Sequence, residues 1–201
     1  MKVIDKCFTL FLLGILTFGA YDYNKHHEKK NAIIRKYEHV DYRNVIGEIK
    51  TPREAQDYCI YFIDGGKIVL DSDGYKIWNS FKTIHETRKG VCVDGAVAGT
   101  ALLNDDRYET EICALFDSSV SKQGHAVCVY QDPETGKFGS IGINECDFND
   151  AVFNSLDELE CRLASLYKSN HFDMAFCFKL PGSETKDYKI KFTSENCLIK
   201  K

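Results

Sequence analysis

The segment Cys92–Leu103, with the sequence CVDGAVAGTALL, constrains the fold more than any other stretch of this chain. Its alanine and leucine content predicts a helix, although Gly95 and Gly99 would each cost about 1 kcal/mol in a helix interior relative to alanine. The two glycines are four residues apart and therefore share one face of the helix. Because a face without side chains lets a neighbouring element approach closely, we expect this helix to be central and buried.

Other local signals predict further helices followed by strands. Thr51-Pro52-Arg53-Glu54 has the residues of a capping box, with proline at the first helical position, and predicts a helix that ends near Tyr61. A second capped helix should begin after Ser155. The predicted strands span residues 111–116, 125–132, 137–144, 172–180 and 188–192. Helices followed by a sheet that contains adjacent hairpin strands indicate an α+β fold.

The N-terminus has the pattern of a targeting or anchoring segment. Residues 7–20 carry no charge and follow a short start that contains Lys2 and Lys6. The run has the length of a signal-peptide core and is shorter than the about 20 apolar residues of a membrane span. We therefore predict a signal peptide or N-terminal membrane anchor over residues 1–23, a connector over 24–43 and the main domain over 44–201.

This leader predicts an exported protein, which would be periplasmic, secreted or membrane-anchored. The flank after the apolar run is more basic than the flank before it, with Lys25, Lys29 and Lys30. An uncleaved anchor could therefore leave the domain facing the cytoplasm, which is the alternative. In either case any association with a membrane would run through this N-terminal segment.

Charge and cysteine spacing exclude two classes of function. The net charge is −4, and no basic face with interleaved aromatic residues appears, so we expect no nucleic-acid partner. The nine cysteines contain no Cys-x-x-Cys pair and no zinc-ligand spacing, so we expect no metal and no cofactor. Apart from Cys7 and Cys92, the cysteines would form up to three disulfides in an exported domain, or would be small buried hydrophobic residues. No sequence feature defines an oligomeric state.

Cys92 and His125 have the positions expected of a nucleophile and its base. A thiol at a helix N-terminus lies at the positive end of the helix dipole, which favours the thiolate. His125 opens a strand and could act as the general base and acid. Taken alone, a cysteine or a histidine is more often structural. Together, at these positions, they indicate a cysteine-dependent acyl-transfer enzyme.

A third residue would be needed to orient the imidazole, and two candidates follow from hairpin geometry. If Asp132 pairs with Lys137 across a four-residue loop, the antiparallel register sets Asn144 opposite His125. Asn144 could then accept the imidazole N–H. A slip of one residue would turn Asn144 to the other face of the sheet. Asp147, just beyond the strand, would then take this role.

About half the chain, from Thr51 through Asp147, resembles the transglutaminase-like cysteine protease superfamily, especially its bacterial transglutaminase-like cysteine proteinase branch. The resemblance rests on the capped helix and on three motifs that follow it, together with the Asn or Asp after the last strand. These motifs are Trp78-x-x-Phe-x-Thr-Ile-x-Glu-Thr, Gly90-Val-Cys92-Val-Asp94-Gly-Ala and His125-Ala-Val.

The resemblance implies a papain/transglutaminase-like fold, in which the helix that carries the cysteine packs on an antiparallel sheet. It implies a catalytic triad with Cys92 as the nucleophile, His125 as the base and Asn144 or Asp147 as the third member. Asp94 would complement the helix dipole or hold nearby backbone N–H groups. Trp78 would lie near the active-site wall.

The implied function is that of a thiol hydrolase, a peptidase or amidase that acts on a protein or peptide substrate through an acyl-enzyme on Cys92. Two alternatives stay open. The family's usual third-member Asp in a Trp-x-x-x-Asp context is missing, and Val127 replaces an aromatic residue that is common in the family. Both departures would suit a catalytically silent module that binds peptides or a partner protein. If a lysine amine replaced water as the acceptor, the protein would be a cross-linking acyltransferase.

Overall fold

The structure, a computed structural model, describes residues 23–66, 69–70, 76–103, 107–117, 124–167, 172, 174–181, 184–185 and 188–190. The Cα positions divide into two units, one that ends at His39 and one that begins at Val40. In the first unit a helix, α1, runs over residues 23–37. The apolar run at residues 7–20 lies outside the described residues. No helix in the described part of the chain is both long and apolar enough to cross a membrane.

Five helices are described in the second unit. They are α2 (Tyr42–Glu48), α3 (Pro52–Tyr61), α4 (Phe81–Thr87), α5 (Cys92–Leu103) and α6 (Leu156–Leu166). The predicted capping box of α3 is confirmed, because Thr51 Oγ1 accepts from Glu54 N while the Glu54 carboxylate accepts from Thr51 N. Ser155 caps α6, also as predicted. The sequence did not predict α2 and α4.

The main sheet consists of five strands, β5 (Glu109–Phe116), β6 (Gly124–Gln131), β7 (Phe138–Ile141), β8 (Asn149–Phe153) and β9 (Met174–Phe178). They are antiparallel and lie in the order β8-β7-β6-β5-β9. This sheet, together with the helices, confirms the predicted α+β fold. The strand β8 was not predicted.

Two smaller sheets lie among the described residues. The strands β1 (Asp64–Gly65) and β4 (Lys89–Gly90) pair in parallel. The strands β2 (Val69–Leu70), β3 (Lys76–Trp78) and β10 (Tyr188–Ile190) form an antiparallel sheet in the order β10-β3-β2.

The hairpin of β6 and β7 has the predicted register but is shorter than predicted. Gln131 lies opposite Phe138, and Cys128 lies opposite Ile141, as the pairing of Asp132 with Lys137 requires. Because β7 ends at Ile141, the ladder stops before it could set Asn144 opposite His125. The prediction of that cross-strand pair was therefore wrong.

The helix α5 is the central element, as the sequence predicted. All its residues from Asp94 to Leu103 are buried. A Cβ atom on Gly95 would clash with Ile143 Cγ2, and one on Gly99 would lie 2.7 Å from Cys128 Cβ. The two glycines therefore allow β6 and the end of the β7 hairpin to approach the helix closely.

The helix α6 packs on the sheet with its own apolar side chains. Its Leu159 and Leu163 join a hydrophobic cluster with side chains from β5 and β6, namely Cys113, Leu115, Val127 and Val129. Side chains alternate between the two faces of a strand. Cys128, which contacts α5, therefore belongs to the face opposite that of Val127 and Val129. The sheet thus lies between α5 and α6.

Candidate active site

Cys92 is the first residue of α5 and is partly exposed. The chain reaches it through the short strand β4, where Gly90 lies against two neighbouring side chains. A Cβ atom on Gly90 would be 2.8 Å from Ile63 Cγ2 and 2.9 Å from Asp94 Cβ. A glycine two residues before the cysteine therefore lets the chain pass closely enough to start the helix at Cys92.

Asp94 holds the start of α5 in place. Its buried carboxylate accepts hydrogen bonds from Val91 N at 2.8 Å, from Asn79 N at 3.2 Å and from Asn79 Nδ2 at 3.1 Å. In a capping box, the side chain of the third helical residue accepts a hydrogen bond from the backbone N–H of the residue before the helix. Asp94 and Val91 make this bond. Asp94 therefore fixes the backbone that presents Cys92 and ties it to the segment after β3.

Trp78 is a core residue at the end of β3. It is fully buried, and its ring packs on Phe178 with centroids 5.6 Å apart. The next residue in the chain, Asn79, makes the hydrogen bonds to Asp94. The position of Trp78 thus connects the core to the segment that supports the start of α5.

His125 meets a buried carboxylate. It is the second residue of β6, and its Nε2 lies 2.8 Å from Asp147 Oδ1. Asp147 is completely buried and ends the short 3-10 helix Glu145–Asp147. Of the two candidates for the residue that orients the imidazole, Asp147 is the one that the structure places on the ring.

The loop that carries Asp147 is fixed by hydrogen bonds from several elements. Gln56, buried in α3, accepts from Gly142 N at 2.7 Å and donates to Asn144 O at 2.7 Å. Ser140 Oγ donates to Asp147 O at 2.7 Å, and Asn144 N donates to Asp147 Oδ2 at 2.9 Å. The carboxylate is therefore held in one orientation. Sequence reasoning missed Gln56, whose only signal is a polar residue on the apolar side of α3.

Asn144 has a different role from the one its sequence position suggested. Its side chain is exposed and donates to the hydroxyl of Tyr167 at 3.2 Å, whereas its backbone N–H binds Asp147. The Asn144 side chain therefore contacts Tyr167, and the contact with the imidazole of His125 comes from Asp147.

Tyr167 is a site residue that sequence reasoning missed. It follows α6, and its hydroxyl donates to Asp147 Oδ1 and lies 2.9 Å from His125 Nε2. Its ring packs on the imidazole with centroids 4.5 Å apart, and Cys146 Sγ lies 3.4 Å from its hydroxyl. In the sequence it only extends the apolar stripe of α6, which gives no sign of a polar contact.

The environment of Tyr167 keeps its hydroxyl protonated. Burial raises the pKa of Tyr167, and the negative charge of Asp147 raises it further. Because its pKa is raised, the phenol stays neutral and donates a hydrogen bond to the carboxylate, whereas a phenolate would repel it. His125 and Tyr167 therefore share the same oxygen of Asp147 as an acceptor.

The pKa of His125 reflects opposing effects. Burial alone would lower the pKa of the imidazole, but the hydrogen bonds to Asp147 and to Cys92 outweigh it and raise the pKa to about 9. With this raised pKa the ring carries its proton at neutral pH. Cys92 and Asp147 both act on His125, so the structure brings three of the sequence-predicted site residues together.

A comparison with protein-family models finds no match to this chain, and a comparison with curated proteins finds no significant match either.

Proposed function

We propose that this protein is a thiol hydrolase, a peptidase or amidase of the transglutaminase-like type. The observation that carries the proposal is the hydrogen bond between His125 and the buried carboxylate of Asp147, with the Cys92 sulfur close enough to raise the pKa of the same ring. A nucleophile, a base and a group that orients the base are the parts of a nucleophilic hydrolase. The arrangement of α5 on an antiparallel sheet supports a papain/transglutaminase-like fold.

Each of the three side chains would have a distinct task. Asp147 occupies Nε2 of the imidazole, so Nδ1 is the nitrogen that would exchange a proton with Cys92. An imidazolium beside the sulfur stabilises the thiolate, which is the nucleophilic form. The carboxylate of Asp147 stabilises the charged ring and keeps its orientation. Tyr167, which shares the carboxylate, would limit the rotation of both groups.

The reaction would proceed through an acyl-enzyme on Cys92. The thiolate attacks the carbonyl carbon of a peptide or side-chain amide, and the negative charge moves to the carbonyl oxygen. Backbone N–H groups in the first turn of α5, which have no acceptor within a helix, would stabilise this oxyanion. The imidazolium of His125 then protonates the leaving amine. In the second half His125 takes a proton from water, which attacks the thioester and releases the acid.

Site-resolved alkylation of the full chain tests the pairing of Cys92 with His125. Iodoacetamide labelling between about pH 5 and pH 9 is followed by mass spectrometry in the wild type and in His125→Ala. The exposed Cys161 of the same molecule is the internal control. We expect Cys92 to label near pH 6 at least about tenfold faster than Cys161, because ordinary thiols ionise near pH 8.5. This advantage should disappear in His125→Ala.

The opposite result would remove the proposal. If Cys92 and Cys161 follow the same pH dependence, and His125→Ala changes neither, the two residues do not form a reactive pair. The fold would then serve as a catalytically silent module that binds peptides or a partner protein.

A second experiment separates hydrolysis from cross-linking. The protein is incubated with a glutamine-containing peptide and a labelled primary amine, with Cys92→Ser as the matched control. Hydrolysis predicts that water takes the acyl group and that the peptide stays unlabelled. Covalent incorporation of the amine that depends on Cys92 would instead identify an acyltransferase.

A further inference from the structure

A second cluster of potential ligand atoms lies between the sheet and α6. Cys113 of β5 and Cys177 of β9 are direct partners across the antiparallel ladder and form a disulfide. Glu160 of α6 directs its Oε1 at both sulfur atoms, at 3.6 Å from Cys113 Sγ and 3.3 Å from Cys177 Sγ. Cys113 is buried, and the other two residues are half-buried. Together they form the Cys113–Glu160–Cys177 cluster.

The oxidised state does not explain the position of the carboxylate. The sulfur atoms of a disulfide carry no hydrogen and cannot donate to Glu160. In the described part of the chain, these two sulfurs are the groups within hydrogen-bond distance of its carboxylate. Two thiols could donate hydrogen bonds to this half-buried carboxylate and would explain its position. A cation bound by the carboxylate and both sulfurs would explain it equally well.

We propose that reduction of this disulfide creates a site for a divalent ion of the Zn²⁺ type, with Cys113 and Cys177 as thiolate ligands and Glu160 as the carboxylate ligand. Zinc binds sulfur at about 2.3 Å and carboxylate oxygen at about 2.0 Å in a tetrahedron, which sets sulfur and oxygen about 3.5 Å apart. The observed distances of 3.6 Å and 3.3 Å already correspond to this spacing. Water would complete the tetrahedron from the half-exposed side.

The site opens and fills in two balanced steps. A dithiol reductant gives two electrons and two protons to the disulfide and forms its own disulfide, so the bond between Cys113 and Cys177 becomes two thiols. The ion then forms two metal–sulfur bonds and one metal–oxygen bond, and the two thiol protons leave to solvent. Ion binding at this cluster therefore depends on the redox state of the protein.

Cobalt binding tests the proposal in the full chain. The parent protein carries Cys92→Ser, so that the sulfur beside His125 cannot bind the ion. One sample is reduced with a phosphine and desalted without oxygen, and the other stays oxidised. Titration with Co²⁺ should give thiolate-to-cobalt absorption at one ion per chain in the reduced sample and none in the oxidised one. Zn²⁺ should remove the absorption by displacing the cobalt.

Substitutions in α6 locate the ion. Glu160→Gln keeps the size of the side chain and should weaken cobalt binding at least about tenfold, since even the loss of a partner outside the ligand set costs that much. Cys113→Ser should abolish the absorption of the two-thiolate site. Cys161→Ser, which changes the exposed neighbour of Glu160, is the matched control and should leave binding unchanged.

Several results would each overturn the proposal. They are a reduced protein without thiolate–cobalt absorption, an oxidised protein with the same absorption, and a Glu160→Gln protein that binds cobalt as tightly as the parent. Loss of binding in Cys161→Ser would also overturn it, because the ion would then lie elsewhere on α6. Circular dichroism of Glu160→Gln verifies that the comparison concerns a folded protein.

Discussion

Asp147 Oδ1 lies 2.8 Å from His125 Nε2, and the carboxylate that makes this contact is completely buried. A carboxylate in this position fixes the tautomer of the imidazole and stabilises its charged form. We therefore expect Asp147→Asn to lower the rate of amide hydrolysis by about 10²- to 10⁴-fold. The measurement is the hydrolysis of a peptide substrate under conditions in which the variant is folded.

Asn144→Ala is the matched control for this prediction. The substitution removes one exposed hydrogen bond to Tyr167 and keeps the backbone N–H that binds Asp147. We expect the rate to change only a few-fold. A large loss in Asn144→Ala together with a small loss in Asp147→Asn would mean that Asn144 orients the imidazole.

Tyr167→Phe should change the pH dependence of the site more than its folding. The hydroxyl donates to the oxygen of Asp147 that faces His125 and thereby withdraws negative charge from the imidazole. Without this bond the carboxylate interacts more strongly with the ring, so the pKa of His125 should rise. The alkaline limb of the activity profile should therefore move to higher pH. The lost hydrogen bond should lower the free energy of unfolding by about 1 kcal/mol.

The pH profile separates this positioning role from a purely structural one. A structural role alone predicts lower stability and an unshifted alkaline limb in Tyr167→Phe. Phenylalanine keeps the ring that packs on His125, so the comparison isolates the hydroxyl.

Local signals were sufficient to predict much of this fold. The capping residues Thr51 and Ser155 each lie within three residues of the groups they bind, and the hairpin register depends on the short loop after Asp132. The glycines of α5 also act locally, because their spacing alone defines a smooth helix face. The positions of Cys92 and His125 could be predicted because each lies at the start of such an element.

The residues around His125 could not be predicted in the same way. The strand β7 ends early and leads into a loop. Gln56 of α3 binds this loop at Gly142, which lies 86 positions farther along the chain. Tyr167 lies at the end of α6, 42 positions from His125 in the sequence. These contacts depend on how the layers pack, and the pattern of any one segment does not contain that information. The choice between Asn144 and Asp147 therefore needed the structure.

The raised pKa of His125 makes the stability of the protein depend on pH. The folded value of about 9 lies above the ordinary value of 6.5, so between these two values His125 itself is more fully protonated in the native state than in the unfolded state. Stability from this residue is therefore full below about pH 6.5 and is lost as the pH rises through about 9. The shift corresponds to at most about 3 kcal/mol.

Urea unfolding at about pH 6 and pH 9.5 measures this contribution in Cys92→Ser, in which no thiol titrates beside the ring and Asp147 still raises the pKa of His125. The reference protein is the double variant Cys92→Ser/His125→Gln. We expect the free energy of unfolding of Cys92→Ser to fall more than that of the double variant over this range. The difference between the two pH slopes then isolates His125 from the other titrating groups. Equal slopes would contradict the prediction.

The close packing of α5 on the sheet gives a further prediction about stability. A Cβ atom on Gly99 would lie 2.7 Å from Cys128 Cβ and 2.8 Å from Ile141 Cδ1, and both neighbours are fully buried. Gly99→Ala should therefore lower the free energy of unfolding by about 1 to 3 kcal/mol, although alanine favours helix formation. Chemical denaturation of the folded variant measures the loss.

Gly47→Ala supplies the opposite case in the same protein. Gly47 lies in α2, and a Cβ atom there would have no neighbour within 4 Å, so the alanine meets no steric obstacle. Alanine also has fewer conformations to lose on folding, and the free energy of unfolding should rise by about 0.5 to 1 kcal/mol. If the two substitutions change the free energy of unfolding in opposite directions, the close approach of α5 to the sheet, and not helix propensity, explains the glycine at position 99. A stabilising Gly99→Ala would mean that α5 lies farther from β6 than the contact with Cys128 requires.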